Sequence, residues 1–224
     1  MVPSDPRDPE DPRAFDEWAE SYDQSVRGRD DFPFLGYDAA LEGVVAAAAS
    51  KPPCSVLDLG IGTGNLAKRF AELGCDVWGL DFSSRMLARA ARKVPGAHLA
   101  EADLLGEWPA AFNRRFDVIV SAYAFHHFNL GKKTDLLRRL IRDHCEPGGR
   151  IVIADIAFRT AEALVRARGK WHDVWDEEHF WIAEEAVPAC EAEGLLIRYE
   201  QVSEVAGIYV LTPAAPGFPS RDNR

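Results

Sequence analysis

The chain has 224 residues, of which 47% are hydrophobic and 28% charged, and its formal net charge is −10 at pH 7. At this length one domain can bury roughly 70% of the unfolded chain's surface, so the fold needs neither a disulfide nor a metal to hold it. The negative charge repels polyanions, which argues against nucleic acid as a partner. No apolar run approaches the roughly 18 residues of a membrane span, and no secretory signal opens the chain. We therefore expect a cytoplasmic protein without a membrane partner.

The four cysteines stand at isolated positions: Cys54, Cys75, Cys145 and Cys190. Their spacing matches no pattern typical of a zinc site or an iron–sulfur cluster. We expect four reduced thiols and no bound metal.

Proline and polar residues dominate both ends of the chain. Each of the early Asp-Pro pairs removes a backbone donor and disfavours helix before it. This composition predicts disordered tails over residues 1–12 and 213–224. Residues 13–212 should form a single domain, with a helical N-terminal segment over residues 13–50.

Between the tails, short β-branched runs alternate with helical stretches, which predicts a parallel sheet covered on both faces. We expect strands at 55–59, 76–80, 97–100, 116–120, 150–154, 195–201 and 207–211. We expect helices at 13–26, 36–50, 65–73, 83–93, 132–144 and 183–193. The connection between the last two strands is too short for a parallel crossover. The prediction is an α/β fold whose seven-stranded, mostly parallel sheet has one antiparallel strand.

A glycine-rich turn follows the first predicted strand, at Asp58, Gly60, Gly62 and Gly64. Glycines let the backbone turn sharply and approach a ligand closely. Asp81 stands at the end of the second strand, where a carboxylate can accept hydrogen bonds from ribose hydroxyls. Together these residues predict a nucleoside cofactor.

The spacing of the glycines separates two kinds of cofactor. The dinucleotide fingerprint is G-x-G-x-x-G, whereas these glycines follow G-x-G-x-G and Asn65 stands at the third fingerprint position. An NAD(P)-dependent oxidoreductase remains an alternative, because it shares the glycine loop and Asp81. The pyrophosphate pocket of such an enzyme, however, requires a glycine pattern that Gly64 followed by Asn65 does not match.

The same pattern resembles the first motif of the class I, Rossmann-like methyltransferases that depend on S-adenosylmethionine. Residues 81–87, 101–104, 116–121 and 146–150 are similar to that family's later motifs, in the family's order. The segment 15–30 and the pair His126 and His127 also resemble a group of small, uncharacterised bacterial methyltransferases. The resemblance implies a Rossmann-like fold, S-adenosylmethionine as cofactor and methyl transfer. A protein that binds the cofactor without catalysis is a further alternative.

The resemblance also implies a set of cofactor-binding residues. Asp81 would bind both ribose hydroxyls, Met86 would pack near the adenine, and Asp103 would receive the adenine amino group. Tyr22, on the N-terminal segment, would close as a lid over the cofactor's carboxylate end. The whole set is Tyr22, Asp58, Gly60, Gly62, Gly64, Asp81, Phe82, Met86, Asp103, Leu104 and Ser121.

His126 and His127 follow the fourth strand, at the sheet edge where ligands of such folds bind. A neutral imidazole there can orient or deprotonate a nucleophile near pH 7. They are the catalytic candidates, and because neighbouring residues point in different directions we expect only one to face the substrate. The expected acceptor is a small molecule, and oxygen, nitrogen, sulfur and carbon acceptors stay open.

A second polar cluster lies between residues 172 and 179, interleaved with aromatic residues. Its histidines and carboxylates are possible metal ligands. A charged helix with aromatic contacts explains the same residues, and among functional roles a substrate lid is favoured. The sequence therefore predicts no metal site.

Overall fold

The computed structural model describes residue 16 and residues 19–26, 31–49 and 51–213. The predicted tails over 1–12 and 213–224 lie outside these residues apart from Pro213, and so do Trp18 and residues 27–30 of the N-terminal motif. None of the helices in this described part combines the length and apolar composition that a membrane crossing requires.

The sheet follows the order β3-β2-β1-β4-β5-β8-β7, and β8 runs antiparallel to both of its neighbours. This confirms the predicted seven-stranded sheet with one antiparallel strand. A short additional strand, β6, pairs with the end of β5 and was not predicted, because two residues show no pattern. The strands are β1 (Ser55–Leu59), β2 (Asp76–Asp81), β3 (His98–Glu101), β4 (Phe116–Ala122), β5 (Cys145–Phe158), β6 (Trp181–Ile182), β7 (Leu196–Gln201) and β8 (Ala206–Thr212).

The helices are α1 (Tyr22–Val26), α2 (Tyr37–Ala48), α3 (Asn65–Glu72), α4 (Ser84–Lys93), α5 (Leu130–Arg139), α6 (Ala161–Lys170) and α7 (Ala183–Ala192). Single turns of 3-10 helix cover Ala110–Phe112 and Phe125–His127, and a π-helical turn over Leu140–His144 follows α5.

Several helix boundaries differ from the sequence prediction. Residues 19–21 form a turn, so the expected helix over 13–26 is interrupted. Helix α6 was missed because Ala167 is its one buried residue, which leaves no apolar stripe to recognise. The predicted cap of α4 is confirmed, since the Ser83 hydroxyl accepts a hydrogen bond from the Met86 amide at 3.1 Å.

Each face of the sheet carries its own apolar core, because successive side chains of a strand point to opposite faces. In β1, Val56 packs into one core, whereas Leu57 and Leu59 pack into the other. Because both faces of the sheet are covered, ligands are expected to bind at the carboxyl edge of the parallel strands. The loops that follow β1, β2 and β4 meet at this edge.

The expectation of four reduced thiols is wrong for two of them. Cys54 and Cys75 form a disulfide, with their Cα atoms 5.0 Å apart, while Cys145 and Cys190 are free and buried. The two bonded cysteines directly precede β1 and β2, and the parallel register pairs Ser55 with Asp76. Tertiary pairing thus places side by side two cysteines that look isolated along the chain.

Candidate active site

A cavity of about 540 Å³ opens at the carboxyl edge of the sheet. The loops after β1, β2 and β4 form its floor, and parts of the segments 22–37 and 174–180 close over it. The predicted site residues on its wall are Tyr22, Asp58, Gly60, Gly62, Asp81, Phe82, Met86, His126 and His127.

Four predicted cofactor residues do not reach this wall, and the structure gives them other contacts. Gly64 faces Ala90 of α4, and the Ser121 hydroxyl donates to the Leu59 carbonyl at 2.7 Å. Asp103 accepts from a backbone amide in its own loop at 2.9 Å, and Leu104 is buried in one of the apolar cores. Their contact with the cofactor stays a prediction.

The glycine loop folds back onto the end of β2. Gly60 and Gly62 have φ angles of +66° and +54°, which favour glycine. A Cβ on Gly60 would lie 2.6 Å from the Cβ of Ala124, whereas at Gly62 the nearest atom is 3.9 Å away. The Gly62 amide donates to Asp81 Oδ2 at 2.8 Å. The loop is therefore shaped to leave open space beside its backbone.

Two buried carboxylates form the floor of this end of the cavity. Asp81 Oδ1 accepts from the Ser83 amide at 2.9 Å, yet burial raises the pKa of Asp81 to about 6. Burial, and then the charge of Asp81, raise the pKa of Asp58, whose side chain is 1% exposed. Asp58 Oδ2 has no hydrogen-bond partner in the described part of the chain. A buried carboxylate in this state favours a ligand that brings a cation or a donor.

The N-terminal segment is fastened to the glycine loop by Asp23 of α1. Its Oδ1 accepts from the Thr63 hydroxyl at 2.6 Å and from Asn65 at 3.1 Å, and its Oδ2 pairs with Lys93 Nζ at 2.7 Å. Burial acts to raise the pKa of Asp23, but the hydrogen bonds from Lys93 and Thr63 outweigh it and lower the pKa. Tyr22, next to Asp23, is thereby held on the cavity wall.

We expect Asp23→Ala to loosen α1 and to raise amide hydrogen exchange over residues 19–26, because the polar contacts to Thr63, Asn65 and Lys93 are lost. The exchange should slow in the wild-type protein when S-adenosylhomocysteine is added, and less so in the variant. Glu20→Ala, which changes an exposed acid in the same segment, is the matched control. Equal exchange in the wild type and Asp23→Ala would contradict a fastening role.

The opposite end of the cavity holds both predicted catalytic histidines. His126 and His127 both line the wall, and that only one of them faces the substrate stays a prediction. They lie in the 3-10 turn Phe125–His127, where the alternation of an extended strand does not apply. Their ring centroids are 4.2 Å apart.

His126 is held by a carboxylate that the sequence analysis did not select. Its Nδ1 lies 2.6 Å from Oδ1 of Asp155, a fully buried residue of β5. Asp155 Oδ2 in turn accepts from the Trp181 indole at 3.0 Å. Burial disfavours the imidazolium, but the charges of Asp155 and then Glu178 outweigh it and raise the pKa of His126. Asp155 thus fixes the ring and leaves Nε2 on the side of Glu178.

Glu178 completes a group of four residues, which we call the acceptor cluster: His126, His127, Asp155 and Glu178. Its carboxylate oxygens lie 3.6 Å from His126 Nε2 and 3.7 Å from His127 Nδ1. Burial raises the pKa of Glu178. Burial, together with the neighbouring His126, lowers the pKa of His127 to about 3, so that ring is neutral.

Tyr123, directly after β4, is a cavity residue that the sequence analysis missed. Its backbone is in the left-handed region, with φ of +55°, which is unusual for a tyrosine. Its ring packs against Tyr37 and Phe34, at centroid distances of 5.1 and 5.7 Å. Its buried hydroxyl has no hydrogen-bond partner among the described residues. Tyr123 could have been predicted from the sequence in the same way as His126, because both residues follow the fourth strand.

Comparison with known proteins identifies the family. Residues 56–149 match the family model described as a methyltransferase domain. A protein of Geobacillus kaustophilus described as an uncharacterized methyltransferase is 41% identical over 173 residues, which cover 73% of this chain and 77% of the relative. Another, from Bacillus velezensis, is 32% identical over 209 residues, covering 87% of this chain and 93% of the relative. The chain belongs to the methyltransferases.

A solved structure agrees with this assignment at the level of fold. The complex described as DhpI with SAH superposes with a TM-score of 0.67 at 21% identity, covering 92% of this chain and 95% of that one. The expected class I, Rossmann-like and S-adenosylmethionine-dependent methyltransferase is confirmed. The oxidoreductase alternative is therefore not retained.

The cavity of this methyltransferase fits its cofactor on structural grounds. The orphaned oxygen of Asp58 can receive an ammonium group, and Asp81 can accept hydrogen bonds from ribose hydroxyls. The open space beside Gly62 admits a ligand close to the backbone. These residues would hold S-adenosylmethionine at the end of the cavity away from the acceptor cluster.

We expect Asp58→Asn to raise the melting temperature of the ligand-free protein and to weaken cofactor binding. The raised pKa means that the folded state holds a buried carboxylate at a cost the unfolded chain does not have. This cost is absent below the pKa of the unfolded carboxyl and grows as the pH rises above it, so the gain in melting temperature should be larger at pH 8 than at pH 5. Thermal unfolding with and without S-adenosylhomocysteine measures both effects, and a lower melting temperature at pH 8 would contradict the prediction.

Proposed function

We propose that this methyltransferase acts on a small-molecule acceptor, in the cytoplasm and without nucleic acid or a membrane as partner. The observation that carries the proposal is a cavity whose two ends differ chemically. One end offers Asp58, Asp81 and the glycine loop, and the other offers the acceptor cluster. Its volume, about 540 Å³, is within the range of small-molecule sites.

The proposed cofactor end divides the work between a few residues. Asp81 accepts hydrogen bonds from the ribose hydroxyls, and Asp58 faces the ammonium. Phe82 and Met86 supply apolar wall for the adenine, and Tyr22 closes over the carboxylate end. All five line the cavity, which supports these roles.

When bound, S-adenosylmethionine supplies a methyl group already activated by its sulfonium. The chain's own task is then to align the acceptor and to handle its proton, and alignment can contribute on the order of 7–11 kcal/mol. Asp155 holds Nδ1 of the His126 ring, which leaves Nε2 on the side of Glu178. The acceptor cluster orients the attacking atom and eases the loss of its proton.

The remaining wall favours an acceptor with an apolar body. Phe32 stacks with Trp175 at 4.8 Å between centroids, and Phe34, Tyr37 and Tyr123 pack on one another. Such surfaces bind apolar or flat groups, while few polar groups fix the orientation. The Tyr123 hydroxyl, which has no hydrogen-bond partner among the described residues, would provide one of these polar contacts.

A pooled metabolite screen tests the proposal, with formation of S-adenosylhomocysteine as the readout. At least one small-molecule pool should support repeated turnover, and His126→Asn should abolish most of it. Parallel reactions with DNA, RNA and unfolded protein measure the competing acceptor classes. Turnover with one of these macromolecules and with no metabolite pool would overturn the small-molecule assignment.

A further inference from the structure

Three metal-ligating groups converge inside the cavity. A ring nitrogen of His126, a ring nitrogen of His127 and a carboxylate oxygen of Glu178 all lie within 4.8 Å of one another. The distances from the Glu178 oxygens to His126 Nε2 and His127 Nδ1, 3.6 and 3.7 Å, are longer than a hydrogen bond. They are close to the separation of neighbouring ligands around an ion whose bonds are about 2.1 Å long.

The surroundings hold the three groups in place. Asp155 binds Nδ1 of His126, so that Nε2 is the nitrogen directed to Glu178. A second ring nitrogen bound to a buried carboxylate is the usual arrangement around a metal-ligating histidine, because it fixes the tautomer and the ring orientation. The Trp181 indole fixes the other Asp155 oxygen.

The segment that carries Glu178 is also tied to the histidine turn. The His179 amide donates to the His126 carbonyl at 2.9 Å, and Lys133 Nζ donates to the His179 carbonyl. Lys133 is a nearby cation, but its ammonium group lies over the Trp181 ring, 4.4 Å from the centroid. The ligand set is therefore fixed by contacts outside it, as a preorganised site requires.

We propose that His126 Nε2, His127 Nδ1 and Glu178 bind one divalent transition-metal ion of the zinc type, with an open coordination position toward the acceptor. Two imidazoles and a carboxylate suit zinc, iron(II), cobalt(II) or nickel(II). Three protein ligands with an open position are also the arrangement of catalytic rather than structural zinc. The site departs from the sequence prediction of no metal.

The proposed role of the ion, though not its binding, rests on the proposed function. An ion at this place would bind the acceptor's oxygen, nitrogen or sulfur atom and lower its pKa. The acceptor's proton then leaves to solvent, the acceptor atom forms its bond to the methyl carbon, and the bond between that carbon and the cofactor sulfur breaks. The Asp155 and Glu178 carboxylates together balance the ion's two positive charges.

Metal titration of the full chain, after removal of adventitious ions with a chelator, tests the site. Zn²⁺ binding is followed by calorimetry and Co²⁺ binding by its visible absorption, which reports the ligand geometry. We expect one ion per chain in the wild type. Asp155→Asn should weaken binding about 10–100-fold, because it removes the carboxylate charge that orients the His126 ring. His127→Ala and Glu178→Gln should weaken it further. His172→Ala, which removes an exposed histidine paired with Asp173, is the matched control and should bind normally.

Circular dichroism and S-adenosylhomocysteine binding verify that each variant is folded. The proposal is overturned if the folded wild type binds no ion in a one-to-one ratio, or if His127→Ala and Glu178→Gln bind as tightly as the control. Turnover is scored separately with and without chelator. If the chain binds an ion but methylates no acceptor, the metal site is supported and the proposed function is refuted. If the chain turns over an acceptor but binds no ion, the proposed function is supported and the metal site is refuted.

Discussion

Replacing His126 by Asn is expected to reduce turnover about 10²–10⁴-fold and to leave the affinity for S-adenosylmethionine nearly unchanged. His126 lies at the acceptor end of the cavity, whereas Asp58 and Asp81 lie at the cofactor end. An Asn side chain can still donate a hydrogen bond to Asp155, so the buried carboxylate keeps a partner. The variant loses the ring nitrogen Nε2, which faces Glu178.

The measurement compares kcat for S-adenosylhomocysteine formation, with an acceptor found by the metabolite screen, against the cofactor Kd from calorimetry. His172→Asn is the matched control, because its ring is exposed and it lies outside the acceptor cluster. A loss confined to cofactor affinity would move His126 to the other end of the site. Full turnover by the variant would make the histidine structural.

The sheet could be predicted because its signals are local. The central parallel strands β1 and β4 are mostly apolar and buried on both faces. Ser83 and Gly74 mark helix ends by their own chemistry. The disulfide could not be predicted in this way, since Cys54 and Cys75 meet only through the register of β1 with β2. Helix α6 could not be predicted, because it buries only Ala167 and therefore has no apolar stripe in its sequence.

The acceptor cluster shows the same limit at the functional site. His126 was found because it follows a strand end, which is visible in the sequence. Asp155 was missed although it continues the apolar run of the predicted strand at 150–154, and a buried acid at a strand end is itself a signal. Glu178 was interpreted as part of a polar cluster. Tertiary contacts bring its segment to the histidines, through the pairing of β6 with β5 and the hydrogen bond from the His179 amide to the His126 carbonyl.

At the cofactor end, Asp81→Ala is expected to weaken S-adenosylmethionine binding roughly ten- to hundredfold, since hydrogen bonds to a charged group contribute about 1.5–3 kcal/mol. Burial raises the pKa of Asp81 to about 6 in the ligand-free protein, and the ionised form is the better acceptor for ribose hydroxyls. Wild-type affinity should therefore fall as the pH is lowered through about 6, whereas the affinity of Asp81→Ala should lack this decline.

Calorimetric titration between pH 5 and pH 8 measures both the affinity and its pH dependence. Asp76→Ala, at the exposed opposite end of the same strand, is the matched control and should bind like the wild type. The Asp81 carboxylate also accepts hydrogen bonds from the Gly62 and Ser83 amides. In Asp81→Ala these two amides lose their acceptor and must bond to water. Amide exchange of the glycine loop in the ligand-free variant shows whether the loop stays ordered. With the loop ordered, an unchanged Kd for S-adenosylmethionine would refute the ribose assignment. A weakened affinity that still falls as the pH is lowered through about 6 would mean that a group other than Asp81 titrates.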